Sequence, residues 1–520
     1  MSSPQTAPAL SLALVTVPRR SSFGPVVVAA VVVSAFAFAP VPLARGPLAA
    51  LAASLSIMAL LPPIGRVPSH VWGPLVGMVT LVVGPSVMAG AFPQVGLSAL
   101  TAEVVGGLDV IVLILSLAYL ASSLDDSGFF RWCALRVTRA AAGDGTRLLL
   151  WTFLGVSALT FFTSNDIVIL AVTPILIHIA VQAKIRNVTP LLFAQFFAAN
   201  TASMGLYIGN PTNMVIGRAA GMGFTEYAQR MWLPTLVATG ATLGLLWWLF
   251  AHGSRDNRMV RRYRMPPADD AIHWTSHMTA KVALFAGCLA TLTALGSDFG
   301  YARTAGGAGR LVVHTCAAFA LLALLHDLWC DRSRVTGEQA AGVRRRIVGL
   351  PFEIVPFFVA FCVLLHGLSE VGLVERAADR VVAAFGYGPV IGSVATGVYG
   401  VVTTNLLNNI PTSMLVGKTL EAGSSSAGLA ERLATLDAGY ADAFVEASLF
   451  ATNVGANLTF MGALAGVMWL RILRRSSDGN DAPRVPSARE FLCYGALVVP
   501  AVTLLTCSVI GLSHGGPTPN

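Results

Sequence analysis

The chain has 520 residues, of which 55% are hydrophobic and only 12% charged. Soluble globular proteins carry about 25% charged residues, so this composition excludes that class and predicts a polytopic membrane protein with spans of about 20 residues. The net charge of +8 then indicates loops that face an anionic cytoplasmic leaflet, not a nucleic acid partner. The seven cysteines show no CxxC and no His/Cys metal spacing, so neither a disulfide, a metal site nor a cofactor is expected.

Apolar runs predict about eleven spans, and two further stretches, 148–182 and 388–418, are interrupted by polar residues. The first run, 23–39, follows Arg19 and Arg20 and resembles a signal peptide. A retained helix is expected instead, because further spans follow at once. The predicted spans lie near 23–39, 45–62, 69–91, 105–124, 188–217, 231–251, 276–296, 310–326, 347–369, 442–473 and 490–511.

The stretch Phe161–Ile177 is mostly apolar, but it contains four consecutive polar residues, which include Asn165 and Asp166. An ionisable residue inside a membrane is a functional candidate by default, because burying it is costly. Backbone that leaves the helix at membrane depth is tolerated only where protein or a wet cavity encloses it. The alternative is a helix end at the membrane surface, with these side chains solvated.

The distribution of basic residues predicts that 148–182 is a re-entrant hairpin. If 148–182 and 388–418 each return to the side that they entered from, most of the 34 Lys and Arg residues, Lys281 among them, fall on the side of the N-terminus. This bias satisfies the positive-inside rule. If 148–182 crossed fully, the basic segments 131–147 and 184–186 would lie on opposite sides. The prediction is an integral plasma (inner) membrane protein with a cytoplasmic N-terminus and an outer C-terminus.

Three sequence anchors recur in the same order at a nearly constant separation. They are Leu124–Val137 with Leu368–Val381, Asn165-Asp166 with Asn408-Asn409, and Phe197–Asn200 with Phe450–Asn453. Because the two copies enter the membrane from opposite sides in the predicted topology, they form an inverted repeat, as in many secondary transporters. The predicted parts are N-terminal helices 1–104, first repeat 105–251, a segment 252–349 with a cytoplasmic loop, linking helices and a second basic loop, second repeat 350–511, and C-terminal tail 512–520.

Amide and hydroxyl side chains cluster at the two hairpin tips and in two helices broken near their middle. Amides both donate and accept hydrogen bonds, so the set suits a small hydroxylated or oxyanionic solute, although a single Asn more often joins two helices. The candidate substrate-binding residues are Ser164, Asn165, Asn200, Thr201, Ser203, Gly209, Asn210, Thr212, Asn213, Asn408, Asn409, Thr412, Asn453 and Asn457.

Asp166 is the single acid in these clusters, which suits coupling to a proton or to sodium. A structural alternative is that it caps the second half of the hairpin at its N-terminus.

No sequence motif indicates an enzyme. Gly417-Lys418-Thr419 ends like a phosphate loop but lacks the glycine that the motif requires, and no HExxH is present. A membrane-embedded hydrolase and a purely structural membrane protein remain the alternatives to a carrier.

Four stretches resemble the arsenite efflux permease family of the ion transporter superfamily. They read LDDSGFFRWCALRV, TSNDIVILAVTPILI, NNIPTSMLVG and GANLTFMGALAGVMWLRIL, and the resemblance covers roughly 105–251 and 350–511. It implies an all-α inverted-repeat carrier with two re-entrant hairpins and two broken helices, often assembled as a homodimer. It also implies export of neutral arsenite or antimonite by proton antiport. The alternative is a sodium- or proton-coupled anion or dicarboxylate symporter, because the GNPTN segment is similar to the silicic-acid and carboxylate branches.

Overall fold

The computed structural model describes residues 47, 50, 51, 54, 69–87, 97–252, 262–264, 273–298, 307–332, 341–421, 423–424, 427–476 and 483–515. The predicted span 23–39 and most of 45–62 lie outside these residues. The described helices are α1 Ser69–Val87, α2 Leu97–Asp126, α3 Phe129–Ala140, α4 Gly145–Phe162, α5 Asn165–Gln182, α6 Thr189–Ala202, α7 Pro211–Ala219, α8 Phe224–His252, α9 Ser276–Asp298, α10 Gly307–Arg332, α11 Ala341–Val348, α12 Ile354–Glu370, α13 Leu373–Phe385, α14 Pro389–Leu407, α15 Asn409–Glu421, α16 Leu429–Ala434, α17 Tyr440–Val454, α18 Leu464–Ser476 and α19 Ala488–Ser513.

The described part of the chain is almost entirely helical. Its strands are β1 Gly423–Ser424 and β2 Ala427–Gly428, which pair antiparallel. Eight of the described helices are long and apolar enough to cross a membrane, or nine spans if the bent pair α12–α13 counts as one. The protein is therefore an all-α polytopic membrane protein, as predicted, while the count of about eleven spans stays a prediction.

The order of helices from α2 to α8 recurs from α12 to α19. In both series a long helix ends at a glycine in the left-handed conformation, Gly128 with φ 86° and Gly372 with φ 71°. A shorter helix, α3 or α13, comes next, and then a two-helix hairpin, α4–α5 or α14–α15. Then comes a helix broken by a 3-10 turn, Ser203–Gly205 or Gly455–Asn457, and finally a long apolar helix. The repeat read from the sequence is thus also present in the fold.

The two hairpins open at opposite ends of α19. The base of the first hairpin lies near the start of α19, because the Val188 N–H donates to the Arg484 carbonyl at 3.1 Å. The base of the second lies near the end of α19, where the glycine Cα of Gly511 packs against Pro389 and Val390. The 26 residues of α19 span about 39 Å, so the two hairpins enter the molecule from opposite sides.

Both arms of the first hairpin reach the same side of the molecule. The segment 262–264 touches both ends, because the Tyr263 N–H donates to the Gly143 carbonyl at 2.9 Å and the Arg264 N–H to the Ala183 carbonyl at 3.3 Å. From that side α6 runs for 14 residues, about 21 Å, to the tip of the hairpin. This depth is less than the about 30 Å of a bilayer core and supports the prediction of re-entrance.

Ion pairs that the sequence analysis did not foresee join the helices outside the hairpins. Asp327 on α10 is 1% exposed and pairs with Lys281 on α9 and with Arg346 on α11, and it accepts hydrogen bonds from Tyr119 and Ser123 on α2. Lys281, which the sequence places in the predicted span 276–296 on the side of the N-terminus, is 3% exposed. Buried charges persist only when paired, so this cluster holds four helices in one arrangement.

Candidate functional site

The tip of the first hairpin is a short extended segment between two helices. Helix α4 ends at Phe162, Thr163 and Ser164 leave the helical conformation, and α5 begins at Asn165. The Asn165 N–H, an orphan donor at a helix start, donates to the carbonyl of Gly209 at 3.0 Å. The broken helix thus supplies the acceptor that the tip lacks.

The first broken helix is interrupted because its sequence cannot continue as an α-helix. After α6 and the 3-10 turn the chain makes a tight turn, in which the Gly209 N–H donates to the Leu206 carbonyl at 3.0 Å. The side chain of Asn210 then accepts from the Thr212 N–H at 3.2 Å, and Pro211 takes the first helical position of α7. A Cβ on Gly209 would meet the Ser203 carbonyl oxygen at 2.2 Å, so only glycine fits at this position.

Amide side chains join the first hairpin to both broken helices in one buried network. Asn165 Nδ2 donates to Asn200 Oδ1, and Asn200 Nδ2 donates to Asn457 Oδ1, each at 3.0 Å. Asn457 Nδ2 donates to Thr201 Oγ1 at 3.2 Å. These bonds cross from the first repeat to the second, so the two repeats meet at this site.

Asn453 is the most connected member of the network. Its Oδ1 accepts from Ser203 Oγ at 2.9 Å and from Asn210 Nδ2 at 2.8 Å, while its Nδ2 donates to Asn213 Oδ1 at 2.7 Å and to the Leu449 carbonyl at 2.8 Å. Asn200, Asn213 and Asn453 are all 0% exposed. Because buried amides must be paired, these bonds fix the relative position of the two broken helices.

The second hairpin repeats the main contact of the first. The Asn409 N–H donates to the carbonyl of Gly462 at 2.9 Å, in the second broken helix, as Asn165 does to Gly209. The preceding residue, Asn408, has φ 86° and ψ 159°, a conformation that costs non-glycine residues about 1–3 kcal/mol. Its Nδ2 donates to the Met461 carbonyl at 3.2 Å, which helps to hold that conformation.

This shared contact corrects the alignment of the hairpins by one residue. The sequence alone aligns Asn165-Asp166 with Asn408-Asn409. In the structure Asn165 corresponds to Asn409, and Asp166 therefore corresponds to Ile410. The acid thus has an apolar counterpart in the second repeat, and the two hairpins are chemically less alike than the sequence indicated.

Asp166 lies in the first turn of α5 and is half-buried. Ser164 is the N-cap residue of α5, so Asp166 does not cap this helix. Its carboxylate forms no hydrogen bond or ion pair with any residue that the structure describes. A carboxylate near a helix N-terminus is stabilised by the helix dipole, and this one remains available to a proton or another ligand.

Two buried polar atoms at the site lack a partner among the described residues, Asn165 Oδ1 and Thr212 Oγ1. An unpaired buried acceptor costs about 1–3 kcal/mol, which a bound solute with hydroxyl groups would recover.

Two other predicted residues make local contacts only. Thr412 Oγ1 donates to the Asn408 carbonyl at 2.8 Å, and Ser164 caps α5 through its backbone.

Two polar residues outside the predicted set hold the hairpins in place. Gln195 on α6 donates through Nε2 to the Ile169 carbonyl at 2.9 Å and accepts from Thr173 Oγ1 at 3.0 Å, so it fastens α5 to α6. Asn405 on α14 accepts from the backbone and the hydroxyl of Thr459. Gln195 could have been recognised from the sequence, because it is the one polar residue in the otherwise apolar run 191–199.

A separate cavity of about 850 Å³ reaches the first hairpin from the side of α3 and α9. Thr152, Thr163 and Arg136 are among its lining residues, but most of the others are apolar, such as Phe129, Val172 and Phe285. A cavity with this mostly apolar lining suits a hydrocarbon group. The candidate substrate site is therefore the polar network and not this cavity.

Comparison with known proteins places the chain in a transporter family. The sequence profile of the citrate transporter family, CitMHS, matches residues 43–436. The chain belongs to this family. Several relatives carry the name arsenical pump membrane protein. The CitMHS chain is 28% identical over 376 residues to the arsenical pump membrane protein of Yersinia enterocolitica, a match that covers 71% of this chain and 78% of that protein. It is 23% identical over 411 residues to the putative arsenical pump membrane protein of Bacillus subtilis, covering 77% and 86%.

A solved structure shares the fold of this CitMHS protein. The crystal structure of the Alcanivorax borkumensis YdaH transporter, described as having an unusual topology, aligns with a TM-score of 0.53 and 13% identity over 86% of this chain and 100% of that chain. The family resemblance read from the sequence is confirmed, and the protein is a secondary transporter of the membrane.

Proposed function

We propose that this transporter exports a neutral metalloid trihydroxide, arsenite or antimonite, in exchange for protons. The observation that carries the proposal is the neutrality of the buried network. Amides and hydroxyls build it, and no Lys or Arg side chain bonds to it within the described part of the chain. A neutral trihydroxide needs only matched donors and acceptors, and the unpaired Asn165 Oδ1 and Thr212 Oγ1 are suitable partners for its hydroxyl groups.

A dicarboxylate is a poorer match to this site. Carboxylates are usually bound by Arg or Lys, which form charge-assisted hydrogen bonds with them. Arg218, the nearest cation in sequence to the GNPTN segment, is paired with Asp109 at 3.1 Å. The names of the arsenical pump relatives support the same choice of substrate.

Asp166 is the group proposed to carry the coupling proton. It stands next to Asn165 at the hairpin tip, and no described cation pairs with it. Binding of a proton to Asp166 and binding of the solute would alternate. The two are linked through Asn165, the neighbour of Asp166, whose backbone and side chain both bond to the first broken helix.

In the proposed orientation the protein lies in the plasma (inner) membrane with the N-terminus in the cytoplasm and the C-terminus outside. The base of the first hairpin then faces the cytoplasm and the base of the second faces outward. The family resemblance supports a homodimer.

The alternative function is sodium- or proton-coupled symport of an anion or dicarboxylate. The family's description as citrate transporters favours it. Three helices, α5, α7 and α15, begin at the site, and the positive ends of their dipoles could hold one carboxylate group. Sodium would then have to supply the remaining positive charge.

Transport in oriented vesicles separates the two functions. In inside-out vesicles with an imposed proton gradient, we expect concentrative arsenite uptake that a protonophore abolishes, with no uptake in vesicles without the protein. Sodium-dependent uptake of citrate or succinate in right-side-out vesicles, with no arsenite flux in either orientation, would establish the alternative.

A further inference from the structure

Three side chains with nitrogen or sulfur donors converge at one end of the helix pair α9–α10, far in sequence from the candidate substrate site. His277 lies in the first turn of α9, and His326 and Cys330 lie one turn apart near the end of α10. One ligand atom from each lies within 4.8 Å of the other two. All three side chains are half-buried, so water and ions can reach them.

The distances are close to those of a tetrahedral zinc site. With Zn–S of about 2.3 Å and Zn–N of about 2.05 Å, tetrahedral angles place sulfur and nitrogen about 3.6 Å apart. Cys330 Sγ lies 3.9 Å from His277 Nδ1 and 3.8 Å from His326 Nε2. A shift of a few tenths of an ångström would bring these two S···N pairs to zinc-site distances. The two imidazole rings are stacked, 22° from parallel with centroids 5.6 Å apart, so one ring must turn to point its nitrogen lone pair at the same ion.

The donor set selects the kind of ion. Two imidazoles and one thiolate, without an oxygen ligand, suit Zn²⁺ and other thiophilic ions, whereas Mg²⁺ and Ca²⁺ require oxygen. The nearby charge of Lys281, one turn after His277, is compensated by its ion pair with Asp327. A cation can therefore bind without facing an uncompensated ammonium group.

We propose that His277, His326 and Cys330 form a zinc site that links α9 to α10 at the membrane surface. Three protein ligands leave the fourth tetrahedral position to water, and the bound ion joins the two helices between the repeats. The competing explanation is that the thiol only forms weak S–H···N hydrogen bonds with the two rings. This site departs from the expectation that the chain has none, because its ligands come from two helices that a long stretch of sequence separates.

Metal binding to the purified, tag-free protein tests the proposal. After equilibrium dialysis against Zn²⁺ we expect one bound zinc per chain, measured by elemental analysis. Co²⁺ should give the thiolate-to-cobalt charge-transfer absorption of a Cys-ligated site. Cys330→Ser should remove that absorption, and Cys330→Ser, His277→Ala and His326→Gln should each lower zinc affinity about tenfold or more.

Matched controls keep the test specific. Cys493→Ser changes the exposed cysteine on α19, and His273→Ala changes an exposed histidine four residues before His277, so both should bind zinc like the wild type. His326→Gln retains a hydrogen-bonding side chain, and all variants are compared as monodisperse protein. The same zinc stoichiometry and affinity in Cys330→Ser as in the wild type, or no charge-transfer absorption in the wild type, would overturn the proposal.

Discussion

The asparagines of the buried network differ in how many hydrogen bonds their side chains form. Asn453 makes four side-chain hydrogen bonds, with Ser203, Asn210, Asn213 and the Leu449 carbonyl. Asn200 makes two. The sequence predicted that both residues belong to the site, but it could not show which partners each would find, because most of those partners come from the other repeat.

Replacing these two residues by alanine should therefore have unequal effects. Each buried partner left unpaired costs about 1–3 kcal/mol, so Asn453→Ala should lower the thermal midpoint more than Asn200→Ala. Both variants should weaken substrate affinity about ten- to hundred-fold. Thermal unfolding in detergent and the substrate dependence of vesicle uptake measure the two quantities. Equal thermal midpoints together with unchanged substrate affinity would show that the two residues only join helices and do not contribute to substrate binding.

Asp166 should be required for accumulation but not for folding. Asp166→Asn keeps the shape and the place in the first turn of α5 but cannot release a proton. We expect it to insert normally and to lose uptake against a gradient. Asp379→Asn, which changes an exposed acid on α13 paired with Arg432, is the matched control and should transport like the wild type. If Asp166→Asn still builds a solute gradient, the coupling group lies elsewhere.

Elements were easier to predict than their contacts. Most spans agree with the described helices, because long apolar runs with breaks at Gly and Pro define helices locally. The hairpin register was wrong by one residue, since the pair Asn-Asp resembles Asn-Asn but the backbone contacts to Gly209 and Gly462 decide the alignment. The cluster around Asp327 also escaped prediction, because the sequence does not show that Lys281 in the span 276–296 faces an acid on α10.

The end of α19 carries a pH-dependent contact with α17. His514, just beyond the helix, donates through Nε2 to Glu446 Oε1 at 3.0 Å, and this hydrogen bond raises the pKa of His514 above its ordinary value. The stabilisation is therefore fully present below the unfolded-state pKa of about 6.5 and is lost as pH rises through the folded-state pKa.

His514→Gln should accordingly destabilise the protein at low pH only. We expect the thermal midpoint of the variant to fall below that of the wild type at about pH 6, and the difference to shrink towards about pH 8. His273→Gln, at an exposed position, serves as the control with no such trend. A difference that stays constant across this pH range would mean that the contact does not depend on the charge of His514.

At the scale of the whole molecule, the two similar repeats are inverted relative to each other, which is the architecture of many carriers. The hairpin tips meet the broken helices from opposite sides, so the amide network lies where the two repeats face each other. In carriers built this way, access alternates largely through movement of one repeat relative to the other, and we expect the same movement here. The sequence predicted inversion from the distribution of charge, and the structure supports it independently through the two ends of α19.

Cysteine labelling tests this inversion directly in the membrane. The background carries Cys133→Ser, Cys330→Ser and Cys493→Ser, which removes the native cysteines that are not buried in the described structure. Arg139→Cys and Arg186→Cys then place single thiols at the exposed base of the first hairpin, and Tyr387→Cys places one at the base of the second, where the native side chain is 78% exposed.

A membrane-impermeant maleimide should label the two kinds of variant from opposite sides. We expect Arg139→Cys and Arg186→Cys to react in inside-out vesicles only, because segment 262–264 touches both ends of that hairpin on one side of the molecule. Tyr387→Cys should react in right-side-out vesicles only, because Pro389 lies beside the far end of α19. Labelling of Arg139→Cys and Arg186→Cys from different sides would show that the first hairpin crosses the membrane. Labelling of all three from one side would show that the two hairpins are not inverted.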